Sequence, residues 1–79
     1  MKELIVFMRA QKDTQSLLAL LEGILTPSEL KEIPKRLQIV KMLKQGVSQR
    51  EISEILGVGI ATVTRGSRIK EDKIFDKLK

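Results

Sequence analysis

Between Ser48 and Ser67 the chain sets hydrogen-bonding side chains close together: guanidinium groups at Arg50 and Arg65, an amide at Gln49, and hydroxyls at Ser53, Thr62 and Thr64. Groups of these types can grip and read a polyanion. An arginine presents its forked donors to a phosphate or, bidentately, to guanine, and small or hydroxylated side chains on an exposed helix approach base edges in the major groove. Gln49, Arg50, Ser53, Gly59, Ile60, Ala61, Thr62 and Thr64 are therefore the candidate DNA-contacting residues. The sequence has no histidine, cysteine or tyrosine. Zinc knuckles, disulfides, thiol nucleophiles and histidine general bases are excluded together. Glu51 and Glu54 stand three apart on one helix and read as cap and surface residues, so no catalytic residue, no metal ligand and no enzymatic activity is assigned.

Two helices joined by a glycine turn must position these groups. Ser48-Gln49-Arg50-Glu51 is a capping box that starts the first, Ile52, Ile55 and Leu56 follow, and Gly57 suits a left-handed stop. A second pattern runs from Ile60 to Gly66. Ile52, Leu56, Val58 and Val63 are apolar where the two helices bury against each other, and Ser53 is small where they approach. Residues 48–67 thus read as a helix-turn-helix.

Upstream, Leu4, Phe7, Met8 and Gln11 sit at helical spacing, as do Leu17, Leu18, Leu20 and Leu21, with Asp13 to Ser16 as the boundary between two short helices. Thr26-Pro27-Ser28-Glu29 is a further helix start with Thr26 as cap and Pro27 in the first position. Leu30, Ile33, Leu37, Val40 and Leu43 mark one apolar face up to Gly46, and Pro34 predicts a kink or a restart near Lys35. Ile74, Phe75 and Leu78 resume helical spacing at the end. The fold class is all-α.

Seventy-nine residues, 42% apolar and 32% charged, make one small domain over 1–79, too apolar for a disordered tail. No run approaches 18 uncharged apolar residues, and Glu3 and Arg9 interrupt the opening apolar stretch, which predicts a cytoplasmic chain with no membrane partner. Cores this small rarely suffice alone, which favours a homodimer. Charge is uneven: residues 1–34 hold four basic against five acidic side chains, whereas residues 35–79 hold eleven against five. A basic half on a chain of net charge +5 favours a nucleic-acid partner.

Leu25-Thr26-Pro27, Arg36 with Ile39-Val40, Ser48-Gln49-Arg50-Glu51 and Gly59-Ile60-Ala61-Thr62-Val63-Thr64-Arg65-Gly66-Ser67 together resemble the tryptophan repressor family. The resemblance covers roughly residues 25 to 67. It implies an intertwined all-helical homodimer on a palindromic double-stranded DNA operator, with no bound cofactor beyond L-tryptophan as co-repressor. It further implies that Arg36 and Arg65 hold the indole ring between them, with Thr62 and Gly66 beside it. Thr26 and backbone carbonyls near Gly23 and Leu25 of the partner subunit would hold the amino-acid end. The physical basis is general, since a guanidinium plane both stacks on a ring and pairs with a carboxylate. The chain departs from the family's pattern at Pro34, where a glycine is usual, and at Arg68 and Ile69, where a serine helps hold the ligand.

Three functions stand beside one another: a repressor gated by tryptophan or a related aromatic amino acid, a constitutive helix-turn-helix DNA binder, and a basic helical module that docks an acidic protein. A ligand site alone requires Arg36, Arg65 and Thr26 together. Salt-dependent DNA binding separates the first two from the third.

Overall fold

The computed structural model describes residues 1–78, and these form five α-helices and one 3-10 turn with no strand. The chain divides into two compact units, Met1–Lys31 and Glu32–Lys79.

In the first unit, α1 (Lys2–Arg9) is followed by α2 (Thr14–Ile24). Asp13 caps α2 by accepting the Ser16 N–H at 2.8 Å, and that bond together with the Ser16 hydroxyl lowers the Asp13 carboxyl below its ordinary range. α2 stops at Leu25, whose backbone turns extended, and Thr26 then opens α3 (Pro27–Lys44). The expected capping box is complete there: Glu29 N–H donates to Thr26 Oγ1 at 3.2 Å, and Thr26 N–H donates to Glu29 Oε1 at 2.8 Å. None of residues 1–31 is buried, and Leu4, Ile5, Val6, Phe7, Leu18 and Ile24 are exposed.

The second unit holds the core. Ile39 and Leu43 of α3, Ile52 of α4 (Gln49–Leu56) and Val63 of α5 (Ile60–Ile69) form one buried cluster, edged by Met42, Val47, Leu56 and Val58. α3 ends at Gly46, φ +89°, in a Schellman arrangement in which Val47 N–H reaches Met42 O and Gly46 N–H reaches Leu43 O. Val47 and Met42 flank the same cluster, so this turn also sets where α4 begins.

Three expectations change. At Pro34 the expectation of a kink or a restart narrows, since α3 does not restart near Lys35 but continues through the proline, which removes only its own N–H to Leu30 O while the turns on both sides continue. The buried face of α3 is Ile39, Val40 and Leu43, whereas Ile33 and Leu37 of the expected stripe are exposed, since α4 and α5 cover only the C-terminal turns. The tail forms a single 3-10 turn, Lys73–Phe75, capped by Asp72, with Ile74 exposed. Its apolar residues are too few to meet the cost of nucleating an α-helix.

Candidate functional site

The helix-turn-helix head is built by local chemistry. At the start of α4 the Ser48 hydroxyl oxygen accepts the Glu51 N–H at 3.2 Å and donates its own proton to Glu51 Oε1 at 3.1 Å. The glutamate thus orients the cap hydroxyl where the sequence pattern predicts a bond to the Ser48 N–H. Gly57 closes α4 with φ +65°, the left-handed geometry expected of it. Ser53 donates its hydroxyl proton to Val58 O at 2.6 Å and so ties the last turn of α4 across the corner. Val58 N–H returns to Ser53 O at 3.2 Å.

Across the helix pair, Thr64 Oγ1 lies 3.0 Å from Gln49 Oε1 and 3.0 Å from Ile60 O, so its single proton is shared between the two acceptors. Gln49 is half-buried by this contact. Arg50, one position on, faces solvent with 90% of its side chain exposed, paired loosely with Glu54 at 3.6 Å. An exposed pair at that distance holds little energy and gives way readily to a phosphate or a base. Ile60 and Ala61 are also exposed at the start of α5. Gly59 caps that helix with no side-chain bond, leaving its first N–H groups open to an anion. The candidate DNA residues therefore divide into an outward set, Arg50, Ile60 and Ala61, and an inward set, Ser53, Gln49 and Thr64, that fixes the head.

Behind the head lies a cleft of about 350 Å³ lined by Arg36, Ile39, Ala61, Thr62, Arg65, Gly66 and Ile69. Four of the residues proposed from sequence for a ligand, Arg36, Arg65, Thr62 and Gly66, meet in it. The helical period explains the meeting: Ala61, Arg65 and Ile69 recur every four residues along α5, Thr62 and Gly66 do the same, and Arg36 and Ile39 are three apart on α3. Thr26, Leu25 and Gly23 belong to the first unit and are not among the lining residues. The sequence reading assigned Ala61 to DNA alone and missed Ile39 and Ile69 as walls of this cleft. Their signal was their spacing from the two arginines, but an isoleucine at such a position reads equally well as core.

Both guanidiniums are exposed, and among the described residues no carboxylate lies within ion-pair distance of either, since the one ion pair there is Arg50 with Glu54. The cleft is uncompensated positive charge beside apolar wall. It suits a flat apolar anion, whose ring stacks against guanidinium and whose carboxylate accepts from it.

Gly66 sets how closely α5 approaches α3. A β-carbon built there would stand 2.7 Å from Ile39 Cγ2 and 3.5 Å from Leu43 Cδ1. Ile39 is itself buried, and the colliding methyl sits on its branched β-carbon, not at the far end of a flexible side chain. Gly66→Ala should accordingly destabilise the protein by about 1–3 kcal/mol through overpacking, read from urea denaturation midpoints. Combined with Ile39→Ala, which removes the colliding methyl, the losses should fall short of additive. A neutral Gly66→Ala would contradict the close approach.

The Trp repressor protein family model matches residues 1–73 of the chain. A Trp operon repressor homolog of Vibrio campbellii is 42% identical over 82 residues, covering 99% of this chain and 82% of the relative. Its counterpart in Vibrio parahaemolyticus is 40% identical over 82 residues, covering 99% and 80% respectively. That of Vibrio cholerae is 55% identical over 59 residues, which is 73% of this chain and 57% of the relative. No solved structure matches at a significant level.

Proposed function

The chain belongs to the Trp repressor family and is a DNA-binding transcriptional repressor rather than an enzyme, and from that premise we propose that an aromatic amino acid of the L-tryptophan type gates it. The repressor acts in the cytoplasm as a homodimer on a palindromic operator, with residues 48–67 of each copy as the reading head. Arg50, with Ile60, Ala61, Thr62 and Gly59 at the start of α5, faces the major groove, and Gln49, Ser53 and Thr64 hold that face in shape. Arg36 and Arg65 take the ligand, with Thr62 and Gly66 beside it. Thr26 and the backbone near Gly23 and Leu25 of a second copy complete its enclosure.

One observation carries this reading: α5 serves the cleft and the reading face at once. Ala61 and Thr62 line the cleft and also sit in the first turn of the helix that would enter the groove. A ligand seated between Arg36 and Arg65 therefore bears on the orientation of that helix without any intermediary. Two heads related by a two-fold would reach inverted half-sites about one helical turn apart when α5 is correctly set.

Two arginines test it. Arg50→Ala should weaken operator binding by about 1–3 kcal/mol and leave ligand affinity nearly unchanged. Arg36→Ala should weaken ligand binding, and DNA affinity should then fall only by the coupling energy, about 1–3 kcal/mol, and only with ligand present. Linkage makes the test strict, because DNA must tighten ligand binding by the factor with which ligand tightens DNA binding. Titrations of each variant with labelled duplex, with and without L-tryptophan, give both numbers. An Arg36→Ala loss that is equal with and without ligand would make the protein a constitutive DNA binder.

A further inference from the structure

We propose that Lys44 is a positioning residue for the reading head: its ammonium clasps the segment that follows α5 to the end of α3 and so fixes the tilt of α5. Lys44 lies outside residues 48–67 and acts through them, so this role rests on their being that head.

Lys44 is the last residue of α3, exposed, and its Nζ donates to Phe75 O and, at 3.1 Å, to Leu78 O. A lysine carries three rotatable donors, enough for both carbonyls at once. Carbonyls that end a helical turn lack partners within it and favour a cation. The segment that brings them there is hydrogen-bonded along its length. Asp72 N–H donates to Ile69 O at 2.9 Å, and the Asp72 carboxylate accepts the Ile74 N–H at 3.1 Å. The N–H groups of Phe75, Asp76 and Leu78 then each donate to the carbonyl three residues back, at 3.0 Å. Residues 72–78 are therefore a strap that runs from the last turn of α5 back to α3.

The head leaves α3 through the Gly46 turn, two residues after Lys44, and the strap returns to Lys44 itself. Both ends of the head are pinned at one residue. Between them α5 is gripped at its middle by the buried Val63 and Gly66, and Thr64 is bonded to Gln49. Beyond Gly66 no residue of α5 is buried. Its last turn is held from outside, by Asp72 directly and by Lys44 through the strap. A rise of about 1.5 Å per residue sets Ile60 and Ile69 about 13.5 Å apart, so a tilt of about 10° around the midpoint carries the first turn by about 1 Å. Recognition tolerates about half that.

Lys44→Met keeps an unbranched side chain of good helix preference and removes the donors. Lys44 is exposed and outside the buried cluster, so the denaturant midpoint should hardly move. Anisotropy titrations of a labelled palindromic duplex over a salt series, with L-tryptophan present throughout, should give an affinity about fivefold lower at every salt concentration, since a looser head must be ordered on binding. The slope of log affinity against log salt should be unchanged, because no phosphate contact is lost. Lys44→Arg, which keeps charge and donors, should bind within about twofold of the unaltered chain, as should Lys41→Met, which removes the same charge a turn earlier on α3. The strap is read separately: trypsin should cut after Lys73 and Lys77 about tenfold faster in Lys44→Met, and slowly again in Lys44→Arg. A slope that falls by about 0.9 per head would make Lys44 a phosphate contact, which overturns the proposal and leaves the head's assignment intact. Unchanged affinity in Lys44→Met, an equal loss in Lys41→Met, or no restoration by Lys44→Arg also overturns it. If the unaltered chain binds no duplex, the reading of residues 48–67 falls with it, whatever trypsin shows.

Discussion

Duplex binding by this protein should weaken about a thousandfold between 50 and 200 mM monovalent salt. Each phosphate neutralised on B-DNA contributes about −0.9 to the slope of log affinity against log salt, and about six contacts give that loss. The count is modest for the charge available. One chain carries +5, and eleven of its fifteen basic residues fall after residue 34, on the portion that includes the reading head. The Arg50 side chain is 90% exposed and is held only by a loose surface pair with Glu54, so it can transfer to phosphate or base at little cost. Fluorescence anisotropy of a labelled palindromic duplex over a salt series measures the slope. A flat series would move the basic half from DNA to an acidic protein partner. Because the slope counts phosphates and not bases, it should persist on scrambled duplex, and only the intercept should fall.

The second large effect is on stability. Ile52 is fully buried in the cluster that joins α3, α4 and α5, and Ile52→Ala should cost about 2–5 kcal/mol through lost burial and the cavity left behind. Small domains hold only about 5–15 kcal/mol in total, so this change alone brings the head close to unfolding at ordinary temperature. Ile55→Ala is the matched control. It removes a similar side chain three residues further along the same helix, but Ile55 is 64% exposed, and its loss should stay within about 0.5 kcal/mol. Denaturant midpoints of the two variants, with equal slopes, would show that α4 is stabilised through one face. Equal losses at both positions would mean that Ile55 is covered in solution.

What could be read from the sequence divides along the range of the interaction. Thr26 with Glu29, Ser48 with Glu51, and the left-handed Gly57 were legible because each device closes within a few residues and uses side chains suited to little else. The buried pair Ile52 and Val63 was legible for the same reason, since a short turn fixes how the two helices meet. The face of α3 was not. Leu30, Ile33 and Leu37 form as regular a stripe as Ile39, Val40 and Leu43, and only the placement of α4 and α5 beneath the C-terminal turns decides which is covered. The tail misled in another way: Ile74, Phe75 and Leu78 have helical spacing, but spacing cannot overcome a segment too short to nucleate. In the cleft, the arginines announced themselves by type, whereas Ile39 reads as core and shows itself as a cleft wall only once the helices are packed.

Residues 1–31 fold into helices yet bury no side chain, and if a second copy supplies the missing cover, copy number becomes an input to the regulation. When most chains are apart, halving their concentration lowers the concentration of pairs about fourfold, by mass action alone. Operator occupancy would then follow the history of synthesis and dilution as well as the level of the effector. A repressor assembled this way responds more than proportionally to the rate of its own synthesis.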